Sequence, residues 1–354
     1  MIRVHNLLSM VGLAATLTLC VSCSDVSGQG YQPERTSWDD PDIDGLWDFR
    51  TLTPFERPPE LADKAVLTPE EAQVFRAKVI QLLDVDNRSG DASIGDVEGA
   101  YNTFWWDWGT ELNEDLRTSL IVDPPDGRLP PITPEALAQK EVQNRLRTPP
   151  VRDYFSYSAN PSEYRPPGPE ALGLSERCLV GFNAGPPITP SAYNNNLRIV
   201  QTPGYIVLVT EMIHDARIIP LDDRPRQPSE MKRWSGDSRG HWDGNSLVVD
   251  TINFTDKTPT FQLPATLEAL DKGVVGSGLN LHLTERFTPV GKGRLLYTYT
   301  IDDPATFVRP FTVSIPLRAT KGPMFEYACH EANYAMPGIL KGARLLEAET
   351  AAAG

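Results

Sequence analysis

The chain has 354 residues, of which 40% are hydrophobic, and it carries a formal net charge of −14. That length and hydrophobic content are sufficient for one large domain or two small ones, each with a packed core. An acidic surface repels phosphate backbones and anionic headgroups, so nucleic acid is not expected as a partner.

The N-terminus has the pattern of a secretory signal that the mature protein loses. Arg3 supplies a positive charge, and Leu7 to Leu19 form an apolar run. A membrane-spanning helix needs about 20 apolar residues, so this run is too short to span a membrane. We therefore interpret residues 1–22 as a signal peptide.

The end of this segment indicates how the protein is held in the cell envelope. Cys20-Val21-Ser22-Cys23 is similar to the lipobox of bacterial lipoproteins, with Cys23 as the lipidated N-terminus. Ser24 resembles the residue that sorts such proteins to the outer membrane. Ordinary cleavage into the periplasm is the alternative. We expect membrane attachment only through a lipid on Cys23.

The segment before the predicted β-domain is polar at first and then rich in proline. Residues 23–44 lack periodicity and are expected to form a tether. In residues 45–190, prolines limit helices to the stretches between them. Thr68-Pro69-Glu70-Glu71 is a capping box that opens a helix to about Leu83, and Thr133-Pro134-Glu135 opens another to about Arg147. The apolar side of the first helix is predicted to hold Val74, Val79, Leu82 and Leu83.

An aromatic patch lies between these two helices, at Phe104-Trp105-Trp106-Asp107-Trp108. One interpretation is that it packs the proline-rich segment onto the β-domain. The other is that it forms a wall for a sugar or another flat ligand.

From Asn195 onward, short runs rich in β-branched residues alternate with turns that contain glycine. The turns are Pro203-Gly204, Asp243-Gly244, Gly291-Lys292-Gly293 and Lys321-Gly322-Pro323. This series is typical of antiparallel hairpins, and an open sheet of this size would leave unpaired edges. The sequence therefore predicts a mainly β fold. An antiparallel meander over residues 191–340 closes into a lipocalin-like barrel or cup, the proline-rich, partly helical N-terminal half wraps on it, and residues 341–354 form a tail.

Apart from Cys20 in the signal and the lipobox Cys23, the chain has two cysteines, Cys178 and Cys329. Because an exported protein meets an oxidising compartment, we predict a disulfide that ties the entry of the β-domain to its last strand, Met324 to His330. The loop-entropy model gives such a cross-link roughly 4–5 kcal/mol. Two free buried thiols or a thiol nucleophile are the alternatives.

Candidate chemistry comes from ionisable residues on or beside the predicted strands. Alternation places Leu283, Glu285 and Phe287 on one face of their strand, so a carboxylate lies among apolar neighbours. His214 or His330 would carry a proton, since histidine titrates near neutral pH. Structural ion pairs and surface histidines are the alternatives. The predicted acid–base site consists of His214, Glu211, Arg217, Glu285 and His330.

The glutamates of this site would orient the histidine or act as partner acid, and Arg217 would hold an anionic group. The chain has no His-Glu-x-x-His, Cys-x-x-Cys, Walker, dinucleotide or Gly-x-Ser-x-Gly motif. We therefore predict neither a metal nor a cofactor.

Two resemblances extend this interpretation. Gly45-Leu46-Trp47 resembles the Gly-x-Trp motif of the lipocalin family, which implies that Trp47 closes the barrel floor against an arginine, here Arg318. Arg117 to Pro130, Glu211 to Leu221 and Tyr327 to Glu331 are similar to shared segments of uncharacterised exported bacterial proteins. The second resemblance implies export and a single fold, and it gives no indication of a reaction.

Two functional hypotheses follow. In the first, the protein is an exported small-molecule-binding barrel that acts as an acid–base enzyme of the lyase, hydratase or isomerase type on a small organic or sugar-like substrate. In the second, it is a non-catalytic ligand-binding or scaffold lipoprotein of the cell envelope. The first requires the candidate residues to point into one hollow, and the second allows them to scatter.

Overall fold

The computed structural model of the protein describes residues 30–84, 107–139, 166–181, 183–262, 274–331 and 333–353. The predicted signal peptide, Cys23, most of the aromatic patch and the second predicted helix beyond residue 139 lie outside these ranges; residues 134–139 are helical. Within the described ranges, no helix combines the length and apolar character needed to cross a membrane.

The fold is built on an antiparallel sheet. Its strands and those of a small separate sheet are β1 (Gly45–Asp48), β2 (Ile121–Asp123), β3 (Asn196–Thr202), β4 (Tyr205–Thr210), β5 (Ala216–Pro220), β6 (Asp237–Asp243), β7 (Ser246–Ile252), β8 (Phe261–Gln262), β9 (Val274–Val275), β10 (His282–Gly291), β11 (Arg294–Asp302) and β12 (Phe311–Ala319). The main sheet has ten strands in the order β5-β4-β3-β1-β12-β11-β10-β7-β6, with β2 paired to β12. The separate sheet pairs β8 with β9.

The sheet nearly closes into a barrel because its two end strands, β5 and β6, come into contact. Gly240 on β6 makes this approach possible. A Cβ at Gly240 would lie 2.8 Å from Leu221 Cδ2 and 3.0 Å from Ile219 Cγ2, so the missing side chain leaves room for these two residues. The predicted mainly β, barrel-like fold is confirmed.

Side chains fill the barrel interior. Alternate residues of each strand point inward, as the period-two pattern predicts. The largest fully buried side chains are Tyr297, Tyr299, Phe49, Phe254, Phe287, Phe307 and Phe311. Aromatic side chains therefore occupy part of the interior among the described residues, and the hollow that takes a ligand stays a prediction.

The proline-rich half packs against the barrel. Ile121 and Phe55 belong to the barrel core, and β2 extends the sheet. Helix α1 (Pro69–Leu83) begins at the predicted capping box, in which Thr68 and Glu71 bond each other's backbone. The prediction of which residues form its apolar side is only partly correct.

The buried stripe of α1 is narrower than predicted. Ala72 and Val79 are buried with Phe75 and Leu83 beside them, at spacings that keep one helical face. Val74 is 73% exposed and Leu82 53% exposed, because both lie off that stripe.

Short 3-10 helices occur at Pro59–Leu61, Pro169–Ala171, Met212–His214 and Gly278–Asn280.

The described part of the predicted tether, from residue 30, is packed. Arg35 and Pro41 form a β-bridge. Ile43 is in the core, and its N–H donates to Gln201 Oε1 at 3.0 Å. Trp47 is also buried and donates from Nε1 to the Ile43 carbonyl at 3.1 Å, while Arg318 lies 3.8 Å from Glu114. Any free tether therefore ends before these contacts begin.

The C-terminal region differs from the prediction in two ways. In place of the expected strand Met324 to His330, residues 324–328 have no regular secondary structure and residues 329–331 form a turn, and helix α2 (Ala335–Ala353) occupies most of the expected tail. Alanine favours helix, and Asn333 Oδ1 accepts from the Met336 N–H at 3.3 Å at its start. Arg344 donates to the Pro166 carbonyl at 2.8 Å and so docks α2 on the preceding region.

The predicted disulfide between Cys178 and Cys329 is confirmed, with the Cα atoms 5.8 Å apart. We call residues 323–331 the strap. The disulfide joins this strap to the segment that leads into the barrel. The cross-link therefore holds the C-terminal region against one end of the fold.

Candidate functional site

A buried ion pair crosses one part of the barrel interior. On β5, alternation leaves Ile218 outside and turns Arg217 and Ile219 inward. Arg217 Nη2 donates to Glu285 Oε1 at 2.9 Å, and Nη1 lies 2.7 Å from Oε2. Glu285, on β10, is 0% exposed. The barrel thus brings together two predicted site residues that are far apart in sequence.

Tyrosines on β11 extend this pair. The Tyr297 hydroxyl donates to Glu285 Oε1 at 2.7 Å and accepts the Ile188 N–H at 3.1 Å. Tyr299 lies directly opposite Glu285 in the β10–β11 register. Its buried hydroxyl has no hydrogen-bond partner among the described residues. We call Arg217, Glu285 and Tyr297 the polar network.

Burial and charge decide the ionisation of this network. Burial lowers the pKa of Arg217, but the attraction of Glu285 outweighs it and the pKa is raised. Burial and then the negative charge of Glu285 raise the pKa of Tyr297 well above its usual value, and the same two causes act on Tyr299. Near neutral pH, both tyrosines are therefore uncharged and Arg217 is a cation.

The polar network reaches a small cleft at one end of the barrel. The volume of the cleft that is open to a water-sized group is about 10 Å³, roughly enough for one water molecule. We call it the mouth cleft. Its lining residues are Ala184, Gly185, Pro186, Ile188, Leu208, Thr210, Asp215 and Arg217.

Glu211 lies near this end of the barrel, but its side chain binds the strap. Its side chain is 2% exposed, and it accepts hydrogen bonds from Asn196 Nδ2 at 2.7 Å and from the Phe325 N–H at 2.9 Å. The carboxylate therefore fixes the strap to the start of β3. This contact is an anchor, and Glu211 does not line the mouth cleft.

The two predicted histidines are exposed and do not join the polar network. Ile213 and His214 have φ values of 62° and 49°, a left-handed conformation that is unusual for a β-branched residue. This turn places His214 at the surface. His330 lies in the strap, whose predicted strand did not form. The prediction of one convergent acid–base site is thus wrong for the histidines.

Both histidines nevertheless lie near the mouth. A small apolar cluster of Ala184, Met212 and Ile213 packs against Tyr327 and Cys329, which are close in sequence to His330. The strap therefore lies beside the cleft. The strained turn at Ile213 is held by this packing, in keeping with the tendency of strained backbone to occur at functional sites.

Tyr297, Thr210 and Asp215 were not among the predicted site residues. Tyr297 could have been identified from the sequence, since it shares the inward face of β11 with Leu295 and Tyr299. Thr210 and Asp215 lie on either side of a chain reversal and meet because Thr210 N–H donates to the Asp215 carbonyl at 3.0 Å. Within the described ranges, no three His, Cys, Asp or Glu side chains are grouped as metal ligands.

Comparison of the chain with known proteins identifies no relative. No protein-family model matches the chain, and no curated protein matches it.

Proposed function

We propose that the protein is an exported, lipid-anchored binding protein of the bacterial cell envelope that holds a small polar molecule at the mouth cleft. The observation that carries this proposal is the polar network, which is largely buried and presents Arg217 to the cleft. The N-terminal signal and lipobox patterns support export and anchoring to the outer membrane, as does the resemblance to exported bacterial proteins.

The cost of the polar network supports a functional reason for it. Removing two charges from water costs several kcal/mol per ion, and apolar pairs of similar volume are often as stable or more so. A barrel whose remaining interior is mostly apolar and aromatic needs no ion pair to be filled. We infer that Arg217 and Glu285 are present because they define the chemistry of the cleft.

Binding without catalysis is favoured over acid–base catalysis. A proton carrier with a pKa near neutrality would have to touch the ligand. His214 and His330 are exposed and do not line the cleft. Arg217 is compensated by Glu285, and Tyr297 stays protonated near neutral pH.

Ligand capture tests the proposal. The full-length lipoprotein is produced in the envelope of its own bacterium, released with mild detergent and weighed by native mass spectrometry. Asp215→Leu fills the mouth cleft with an apolar side chain. Asp243→Leu is its matched control, since Asp243 is the last residue of β6 and is 62% exposed.

We expect a small-molecule adduct on the wild type and on Asp243→Leu that is absent from Asp215→Leu. An adduct of equal occupancy on all three proteins would place binding elsewhere. No adduct on any of them would contradict the proposed function.

A further inference from the structure

We infer that the mouth cleft receives a primary ammonium group, with Asp215 as its counter-ion. The inference rests on the proposed function and names the chemical class of the ligand. Three properties of the cleft carry it: its size, its charge and its free hydrogen-bond acceptors.

The size of the cleft limits which part of a ligand can enter. Its space of about 10 Å³ corresponds to roughly one water-sized group. An ammonium head is of that size. Pro186, Ile188 and Leu208 provide apolar surface for the carbon atoms next to the nitrogen.

The charge around the cleft is negative. Arg217 is the cation of the lining, and Glu285 pairs with it at 2.7 Å. Asp215 also lines the cleft; its negative charge helps to raise the pKa of Arg217, and it forms no direct ion pair among the described residues. Glu211 adds a further negative charge nearby and is held by amide groups alone. Arg217 is thus balanced by Glu285, and Asp215 leaves the lining with a net negative charge, which disfavours an anion and favours a cation.

Asp215 retains free acceptor capacity. Its Oδ1 accepts the neighbouring Ala216 N–H at 2.9 Å, and its Oδ2 accepts only a long bond from Ser235 Oγ at 3.4 Å. A carboxylate has about four acceptor positions. Thr210 donates its hydroxyl proton to the Met212 carbonyl at 3.2 Å, which leaves the lone pairs of Oγ1 as acceptors. The three N–H groups of an ammonium would find partners here.

A titration followed by amide NMR on the full mature protein tests this inference. The probes are methylammonium, methanol, formate and tetramethylammonium, at constant ionic strength. Methanol and formate differ from methylammonium in charge at similar size. Tetramethylammonium has the same charge as methylammonium but is larger. The Ala216 amide is the reporter because it donates to Asp215.

Methylammonium is expected to shift the Ala216 amide signal with saturation. Two non-hydrogen atoms limit its dissociation constant to about 6 mM or weaker. Asp215→Asn should weaken binding about tenfold, as the loss of a charge-assisted hydrogen bond predicts. Asp243→Asn, the matched control, should leave it unchanged. Methanol, formate and tetramethylammonium should give no saturable shift.

The outcomes separate this inference from the proposed function. Saturable binding of methanol or formate in place of methylammonium would overturn the ammonium assignment and leave the mouth as a binding site. Equal methylammonium affinity in Asp215→Asn would also overturn it. Failure of all four probes overturns the ammonium assignment, while the adduct seen by native mass spectrometry decides the proposed function independently.

Discussion

Two buried regions of the same fold differ in chemistry. One is the polar network of Arg217, Glu285 and Tyr297. The other, which we call the aromatic region, consists of Phe55, Phe261, Phe307 and Phe311. In the aromatic region, the ring centroids of Phe261 and Phe311 are 5.5 Å apart and those of Phe307 and Phe311 are 5.2 Å apart, both edge to face.

The difference shows how each region contributes to stability. Aromatic side chains stabilise the fold through the apolar area they bury, so each one contributes by itself. The members of the polar network stabilise it only as a set, because each would be costly without its partners. The first region keeps the barrel folded, and the second needs a reason beyond stability.

The largest expected effect is the loss of a side chain from the aromatic region. Phe311 is 0% exposed, so Phe311→Ala should lower the free energy of unfolding by about 3–5 kcal/mol. Chemical denaturation measures the change. Phe325→Ala is the control, since Phe325 is 66% exposed and should change stability by less than about 0.5 kcal/mol. Similar losses for both variants would contradict the account of the core.

The next effect concerns the strap beside the mouth. Replacing both Cys178 and Cys329 by serine should cost about 2–4 kcal/mol, the typical value for a disulfide, for which the roughly 4–5 kcal/mol of the loop-entropy model is an upper figure. Hydrogen exchange should speed up in the strap and in α2 more than at Phe311. Uniform acceleration would mean that the strap is no separate unit.

Removing the anchor at Glu211 should have a smaller and local effect. Glu211→Gln replaces one of two acceptor oxygens with an amide that faces a donor, which should cost about 1–3 kcal/mol. The Phe325 amide should exchange faster. Glu326→Gln is the matched control, since Glu326 is exposed. Unchanged protection at Phe325 would remove the anchoring role.

Alkaline pH should weaken the fold through the buried tyrosines. Burial and Glu285 raise the pKa of Tyr297 and Tyr299 above their usual 10. Above that pH the unfolded chain loses protons that the folded state retains, so the free energy of unfolding falls as pH rises. The slope should reach about 1.4 kcal/mol per pH unit for each tyrosine.

Tyr299→Phe should remove one tyrosine from this slope and change stability little at neutral pH, because its hydroxyl has no partner among the described residues. Urea unfolding between pH 8 and pH 11 or so, where an unperturbed tyrosine titrates, measures both effects. An unchanged slope in this variant would contradict the burial argument.

One register of the barrel was predictable from the sequence. In β10 and β11, Glu285, Phe287, Tyr297 and Tyr299 all belong to inward faces. A plain two-residue turn at Lys292-Gly293 would place inward residues of one strand opposite outward residues of the other, so one extra residue is required. The structure has that irregularity between Pro289 and Gly291, and Glu285 pairs with Tyr299.

The ion pair and the histidine positions were not predictable in the same way. Arg217 meets Glu285 because β5 and β6 close the sheet, and closure depends on the twist of all strands together. His214 turns outward because Ile213 adopts a left-handed conformation that its β-branched side chain disfavours. Local propensity gives no signal for either feature.

The most direct test of the central claim is the free energy of unfolding of the double variant Arg217→Met/Glu285→Leu. Glu285→Leu alone leaves a buried cation unpaired and should cost about 3–5 kcal/mol. The double variant should recover to within about 1 kcal/mol of the wild type, or exceed it, because apolar side chains can fill the same space. A double variant as unstable as the single one would contradict the claim that the pair is present for a reason beyond stability.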